Sequence, residues 1–345
     1  MTDRIPFPVA VFIYNRADHA ARISAAVARM PLSELYVVAD GPKPTLEDRE
    51  LCRRARAVVE DVDFPCPVRR LFAEHNMGSG SSMPLAIRTV LERAEAAIFL
   101  DDDCIPSDSF FRFCADLLRV FADDEKVMMI SGVNPLGEWR SDRADYLFSK
   151  LGNAQAWATW RRAWRHFEFG MAGWADPAAR AAVAEFVADP GQVAYWSRVF
   201  GHPIAERNWD YQWQFQRQRR HALCVVPSRN LVTHRGGDPR ATHNKTATLL
   251  DHLADACELS FPLTGPRHAV PDHEFDRMVF ESAIGPLSLA SAKVIATRLI
   301  DRGQRARAAV LLRLVGREHQ LDEEAGRLLA MAIGPARRPP GAHQR

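Results

Sequence analysis

Residues 96–106 read AAIFLDDDCIP: five apolar or small residues run directly into three consecutive aspartates. Adjacent carboxylates repel one another and cost stability unless a cation compensates them. Helix capping does not explain them, because Ser107 or Asp108 already stands where the next helix needs its cap. Along an extended strand side chains alternate, which sends Asp101 and Asp103 one way and Asp102 the other. This layout suits a divalent-metal site at a strand end. A hard ion, Mn²⁺ or Mg²⁺, takes carboxylate oxygens and shares its other positions with phosphates. A solvated acidic turn is the competing reading.

The neighbouring sequence decides what kind of strand this is. PVAVFIYN (8–15), ELYVVADG (34–41), VRRLFAE (68–74), AAIFL (96–100) and KVMMISGVN (126–134) are short apolar runs. Between them lie segments with helical spacing: ADHAARISAAVARM, TLEDRELCRRARAVVEDV, SSMPLAIRTVLERA and SDSFFRFCADLLRVFAD. Thr45 and Asp48 resemble a capping box. Alternation throughout 8–134 predicts a mostly parallel sheet covered by helices. Ligands bind such sheets at the carboxyl ends of the strands. Three of those ends are polar: Asn15–Arg16, Asp40 and Asp101–Asp102–Asp103, which are expected to converge on one crevice. MGSGSS (77–82) reads equally as a plain loop or as a source of backbone N–H groups for a phosphate.

Beyond residue 134 the character changes. All eight tryptophans lie between Trp139 and Trp213. Trp157, Trp160 and Trp164 are spaced as one face of a helix, and core packing is expected of them. Residues 216–245 are rich in Arg and His. From about 284 the chain reads as amphipathic helices, and ARRPPGAHQR at the end as a disordered tail.

With 345 residues and 47% hydrophobic content, the chain has ample material for a core. A net charge of +2 argues against a dedicated nucleic-acid binder. Forty arginines against five lysines read as the composition of a GC-rich bacterium. No apolar run approaches the length of a membrane span, and the N-terminus lacks the features of a signal peptide. The six cysteines show no CxxC pair, so reduced and mostly buried thiols are expected. Together these give a cytoplasmic protein, compatible with a peripheral position at the inner membrane face.

The α/β half ending in a D-x-D-like motif resembles the GT-A fold of nucleotide-sugar glycosyltransferases. VFIYNR, VVADG, EHNMG, IFLDDDCIPSDSFFRF, GNAQAWATWRRAW and NWDYQWQFQRQRRHALCVVPSRNLVTH stand in the order of one branch of these enzymes. That branch contains N-acetylglucosaminyltransferase I, which starts hybrid N-glycans; bacterial sugar transferases of a similar type also match. The likeness covers roughly residues 5–260. It implies division into a nucleotide-sugar-binding half (1–134), an acceptor-binding and catalytic half of the same domain (135–262), a C-terminal helical region (263–335) and a tail (336–345).

The resemblance also implies roles. Arg16 and Asp40 fall where the family contacts uracil and ribose. Asp101 and Asp102 fall near the ribose and donor sugar, with Asn15, His75 and Asn76 bordering the donor site. Asp103 falls at the metal ligand, with His243 or His234 completing the shell. Thr242 and His243 lie in GDPRATHN, a segment that closes over the donor phosphates. Asp210 matches the catalytic base, and Trp209 and Trp213 beside it are candidates for stacking on the acceptor. The implied activity is metal-dependent, inverting transfer of an N-acetylhexosamine or hexose from a UDP-sugar to a hydroxyl of a glycan or other acceptor.

Asp101 replaces the glutamate that begins the family motif, which bears on the donor sugar. The membrane anchor and lumenal disulfide of the eukaryotic members are not seen. A sugar-phosphate nucleotidyltransferase is the first rival, but NRADHAAR after the first strand lacks that class's glycines. A non-catalytic carbohydrate-binding relative is the second, and Asp40, Asp103 and Asp210 together argue against it. The C-terminal helices read as a cap on the main domain or a homodimer contact.

Overall fold

The computed structural model describes residues 4–234, 255–281, 289–301, 303–316 and 320–333. Thr242, His243 and the expected tail lie outside them. The expected alternation is present: β1 (Val9–Ile13), α1 (Ala17–Ala28), β2 (Leu35–Ala39), α2 (Leu46–Glu60), β3 (Val68–Phe72), α3 (Ser79–Leu91), β4 (Ala96–Asp101), β5 (Cys104–Pro106), α4 (Asp108–Val120) and β6 (Val127–Ser131). Every residue of β1, β2 and β6 is buried, as is β4 up to Leu100. Continuous apolar runs of this kind are what strands covered on both faces require. β3 is half exposed at the sheet edge.

The chain continues through β7 (Tyr146–Ser149), β8 (Ala156–Trp160), α5 (Arg161–Trp164), α6 (Pro177–Val187), α7 (Pro190–Phe200), α8 (Trp209–Gln218), β9 (Leu223–Pro227) and β10 (Val232–His234). One eight-stranded sheet has the order β3-β2-β1-β4-β8-β6-β9-β7. β1–β4, β6 and β9 run one way, and β7 and β8 run against them. The architecture is therefore a mostly parallel α/β sheet flanked by helices. Val11 pairs with Val37 on one side and Leu100 on the other, so the carboxyl ends of β1, β2 and β4 lie side by side. A two-stranded ribbon, β5 with β10, leaves the sheet at the aspartates.

C-terminal helices follow: α9 (His273–Val279), α10 (Leu289–Asp301), α11 (Arg305–Val315) and α12 (Glu323–Ile333). The last three pack on one another. No helix among the described residues is long and apolar enough to cross a membrane. None of the six cysteines forms a disulfide, and four are buried.

Two local expectations change. The Thr45 hydroxyl does accept the Asp48 N–H at 3.1 Å, but the Asp48 carboxylate turns away to Tyr14, Asn15 and the Lys43 N–H. At the start of α4, neither Ser107 nor Asp108 supplies the capping acceptor. The Glu258 carboxylate, 150 residues away, accepts the Asp108 and Ser109 N–H groups at 3.0 and 2.8 Å.

The tryptophans are core, although not as one helix face. Trp157 and Trp160 lie in β8, where a separation of three residues sends them to opposite faces. Trp160 donates to the Leu118 carbonyl at 3.0 Å. Trp157 meets Trp164, Trp209 and Trp213 on the other face, with centroids 5.8–6.3 Å away. Trp209 and Trp213 are only 7% and 1% exposed. Rings enclosed in this way cannot stack on an acceptor, so both are withdrawn from the acceptor-binding set. Trp213→Ala should destabilise the fold by about 3–5 kcal/mol, read from urea unfolding. Unchanged stability with impaired transfer would return Trp213 to the site.

Far from the strand ends, Asp276 of α9 is buried and accepts the Ser149 hydroxyl and the Lys150 N–H. Burial pushes its carboxyl up to about 6, against the pull of those two donors. Between its unfolded value of 3.8 and about 6, the native state binds more protons than the unfolded state. Stability therefore falls as pH rises through that window, by about 2–3 kcal/mol. Asp276→Asn should flatten this slope in unfolding measured across pH 4–7.

Candidate active site

The polar strand ends surround a cavity of about 260 Å³. β4 ends at Asp101, and Asp102 and Asp103 form the turn into β5. Strand alternation stops there, so all three carboxylates line the same cavity rather than opposite faces. Asp102 is 5% exposed; its Oδ1 accepts from Arg16 Nη2, and its Oδ2 is buried without a hydrogen-bond partner among the described residues. The same Arg16 nitrogen reaches Asp103 Oδ2 at 3.1 Å. Asp103 Oδ1 faces the other way, 3.6 Å from Cys104 Sγ and 3.7 Å from His234 Nε2. His234 is brought there by the β5–β10 ribbon, in which it pairs with Cys104.

The electrostatics follow from this crowding. Burial pushes Asp102 up to about 7, although Arg16 pulls it down. Asp101 is raised well above the usual carboxylate range by burial, then by the charges of Asp103 and Asp102 and, more weakly, of Asp210. Burial opposes the charge on Arg16, but Asp102 and Asp103 together outweigh it and raise its pKa. Arg16 thus holds the aspartates through Nη2, while its Nη1 has no hydrogen-bond partner among the described residues.

Asp40 also differs from expectation. Its Oδ1 accepts the Gly41 and Met77 N–H groups at 2.8 and 3.0 Å. Its Oδ2 accepts from Gly78 N–H and the Asn76 amide at 2.9 and 3.1 Å. With two donors on each oxygen, Asp40 is the anchor of the 76–78 loop rather than a free acceptor for a base. The loop presses so closely on Gly41 that a Cβ there would lie 2.2 Å from the His75 backbone. Asn76 lines the cavity and also donates to the Gly41 carbonyl. The His75 side chain is exposed and does not line the cavity. Neither does Asn15, whose amide donates to Asp48 at 2.8 Å.

The anchored loop delivers the N-terminus of α3 to the cavity, where Gly78, Ser79 and Ser82 form part of the wall. The first turn of α3 carries no acidic side chain, so its N–H groups and positive dipole end favour an anion. The start of α3 also touches the segment before α8: a Cβ on Gly80 would lie 1.9 Å from the Arg207 carbonyl oxygen. Asp210 stands exposed in the first turn of α8, within electrostatic reach of Asp101.

Tyr14, Lys43 and Gln155 line the cavity and were not singled out in the sequence. Lys43 could have been, since it follows the end of β2 by only four residues. Gln155 could not, because only the antiparallel entry of β8 brings it beside β4, where its carbonyl accepts the Asp101 N–H at 2.9 Å. Its amide meets His234 Nε2 at 3.0 Å. The donor set fits a divalent cation. Atoms of Asp103, Cys104 and His234 lie within 4.8 Å of one another; Asp103 and His234 line the cavity, as does Asp102, whose Oδ2 has no hydrogen-bond partner among the described residues.

No family model matches the chain, and no curated protein matches it. Among solved structures it is similar to an active-site mutant of LgtC, with TM-score 0.27 and 11% identity over 47% of this chain and 60% of that one. The chain thus spans less than two thirds of LgtC. It is also similar to mouse xyloside xylosyltransferase 1 (TM-score 0.30, 14% identity, 61% and 81% covered). A third similar structure is the 4-diphosphocytidyl-2C-methyl-D-erythritol synthase of Anaerococcus prevotii (TM-score 0.28, 10% identity, 46% and 73% covered).

If Asp40 anchors the loop, Asp40→Ala should weaken UDP, GDP and CDP alike, because the α3 N-terminus loses its support. Leaving the loop donors unpaired should also cost about 1–3 kcal/mol of stability. Calorimetry with the three diphosphates checks this. Loss confined to UDP would restore the uracil contact.

Proposed function

We propose that the chain is a GT-A nucleotide-sugar glycosyltransferase, transferring a hexose or N-acetylhexosamine from a UDP-sugar to an acceptor hydroxyl with inversion. One observation carries the reading: a single cavity at the carboxyl ends of β1, β2 and β4 gathers the Asp101–Asp103 turn, His234 and the N-terminus of α3. Such a cavity offers an anion-binding helix end beside a carboxylate cluster, the two things a nucleoside diphosphate and its cation need. The ordered motifs from VFIYNR to NLVTH support the family and its nearness to the N-acetylglucosaminyltransferase I branch. Uridine rests on that resemblance, since Asp40 is occupied by its loop.

In this reading the donor diphosphate lies against the start of α3, with Lys43 at the cavity wall. Asp103 and His234 would hold Mn²⁺ or Mg²⁺, which when bound neutralises charge developing on the leaving nucleotide. Asp102 stays paired with Arg16 and fixes the turn. Asp210 takes the proton of the acceptor hydroxyl as that oxygen attacks the anomeric carbon. An exposed base within electrostatic reach of Asp101 can meet an acceptor arriving from solvent.

Two variants test the assignment on one preparation. Asp103→Asn should bind UDP without Mn²⁺ dependence in calorimetry. Asp210→Asn should melt and bind UDP like the wild type while turnover of a UDP-sugar falls about 10²–10⁴-fold. Unchanged turnover removes Asp210 as base, and unchanged Mn²⁺ dependence removes Asp103 as ligand. Release of pyrophosphate from a nucleoside triphosphate and a sugar phosphate would make the chain a nucleotidyltransferase instead.

A further inference from the structure

We infer that Cys104 supplies a third, sulfur donor beside Asp103 and His234, so that the site takes a thiophilic divalent cation, Zn²⁺ or Co²⁺, in preference to Mg²⁺. The inference rests on the metal site proposed above and concerns which ion that site selects.

The geometry comes from two elements. The Asp102–Asp103 turn points the Asp103 carboxylate back toward the residue that follows it, so Oδ1 lies 3.6 Å from Cys104 Sγ. The antiparallel β5–β10 ribbon sets His234 directly opposite Cys104, and directly opposed residues share a face. The result is one carboxylate oxygen, one thiol sulfur and one imidazole nitrogen, all within 4.8 Å of one another. Among the described residues no other three such groups come together.

The carboxylate is divided between two partners. Arg16 takes Asp103 Oδ2, and Oδ1 is left to the thiol and the imidazole. The guanidinium therefore does not occupy the side on which the three donors meet. A second, independent observation points to a cation beside Asp103: Asp102 is buried, and its Oδ2 has no hydrogen-bond partner among the described residues.

Oxygen, nitrogen and sulfur donors in one set are the chemistry of Zn²⁺ and its neighbours, whereas Mg²⁺ keeps to oxygen. As the metal–sulfur bond forms, the S–H bond breaks and its proton passes to solvent, leaving the electron pair on sulfur as the ligand.

The test uses the full chain and the metals alone, without nucleotide or sugar. Titrating Co²⁺ into the wild type should give visible d–d bands together with a near-ultraviolet thiolate-to-cobalt charge-transfer band. Cys104→Ser should lose the charge-transfer band, keep the d–d bands and weaken Zn²⁺ binding at least about tenfold, the smallest loss usual for disturbing a metal's surroundings. Cys257→Ser, which alters an exposed thiol, should retain both bands. X-ray absorption at the zinc edge of the wild type, which needs no variant to fold, should show one sulfur at about 2.3 Å among lighter ligands at about 2.0–2.1 Å. If d–d bands appear without charge transfer and no sulfur is seen at zinc, the sulfur ligand is overturned while Asp103 and His234 stand. If neither ion binds, the sulfur ligand fails together with the metal-site reading itself.

Discussion

The site depends on how three carboxylates are kept at the tip of a strand that water does not reach. β4 is buried to Leu100, and burial alone favours the neutral acid. Arg16 meets this from the neighbouring strand end by bonding Asp102 and Asp103 through one nitrogen. The ion pair also ties the end of β1 to the turn after β4, so it fixes the width of the crevice. One guanidinium does not balance three carboxylates. Burial first, and then the charges of the neighbouring carboxylates, raises Asp101 and Asp102, so added positive charge in the cavity is stabilising.

A second constraint is backbone rather than charge. The 76–78 loop has N–H groups that no strand or helix satisfies, and Asp40 accepts two of them while its own neighbour Gly41 supplies another donor. The carboxylate thereby converts the end of β2 into a support for α3. The helix end points into the cavity because a residue 38 positions earlier holds Gly78. An aspartate at a strand end can thus shape a ligand site without touching the ligand.

Much of this was legible in the sequence, and the exceptions share a cause. β1, β2, β4 and β6 announce themselves because continuous apolar runs between helical segments leave few alternatives, and their parallel order brings the polar ends together. The three aspartates were legible as part of one crevice but not as a turn, since alternation holds only while the strand lasts. AWATWRRAW fits helical spacing, yet its first five residues become a central strand because β4 and β6 pair with it on both sides; pairing overrides local propensity. Asp40, Glu258 and His234 take their roles from partners 36 to 150 residues away, and no local pattern encodes such a contact.

The aromatic core explains how the proposed base can act with a cluster on another element. Phe99 of β4 packs against Trp157 of β8 at 5.2 Å, and Trp157 stacks on Trp209 at 5.8 Å. Phe99 lies two residues before Asp101, and Trp209 adjoins Asp210. Rigid rings therefore connect the carboxylate turn to the first turn of α8. Gln212 adds to this by donating to the Ala205 and Glu206 carbonyls, which holds the segment leading into the helix. Catalysis by a positioned group is sensitive to displacements near 1 Å, and buried rings in close contact resist such shifts because packed interiors have few voids to relax into. The tryptophans beside Asp210 thus act on its position from behind, through the core, while Asp210 itself stays exposed.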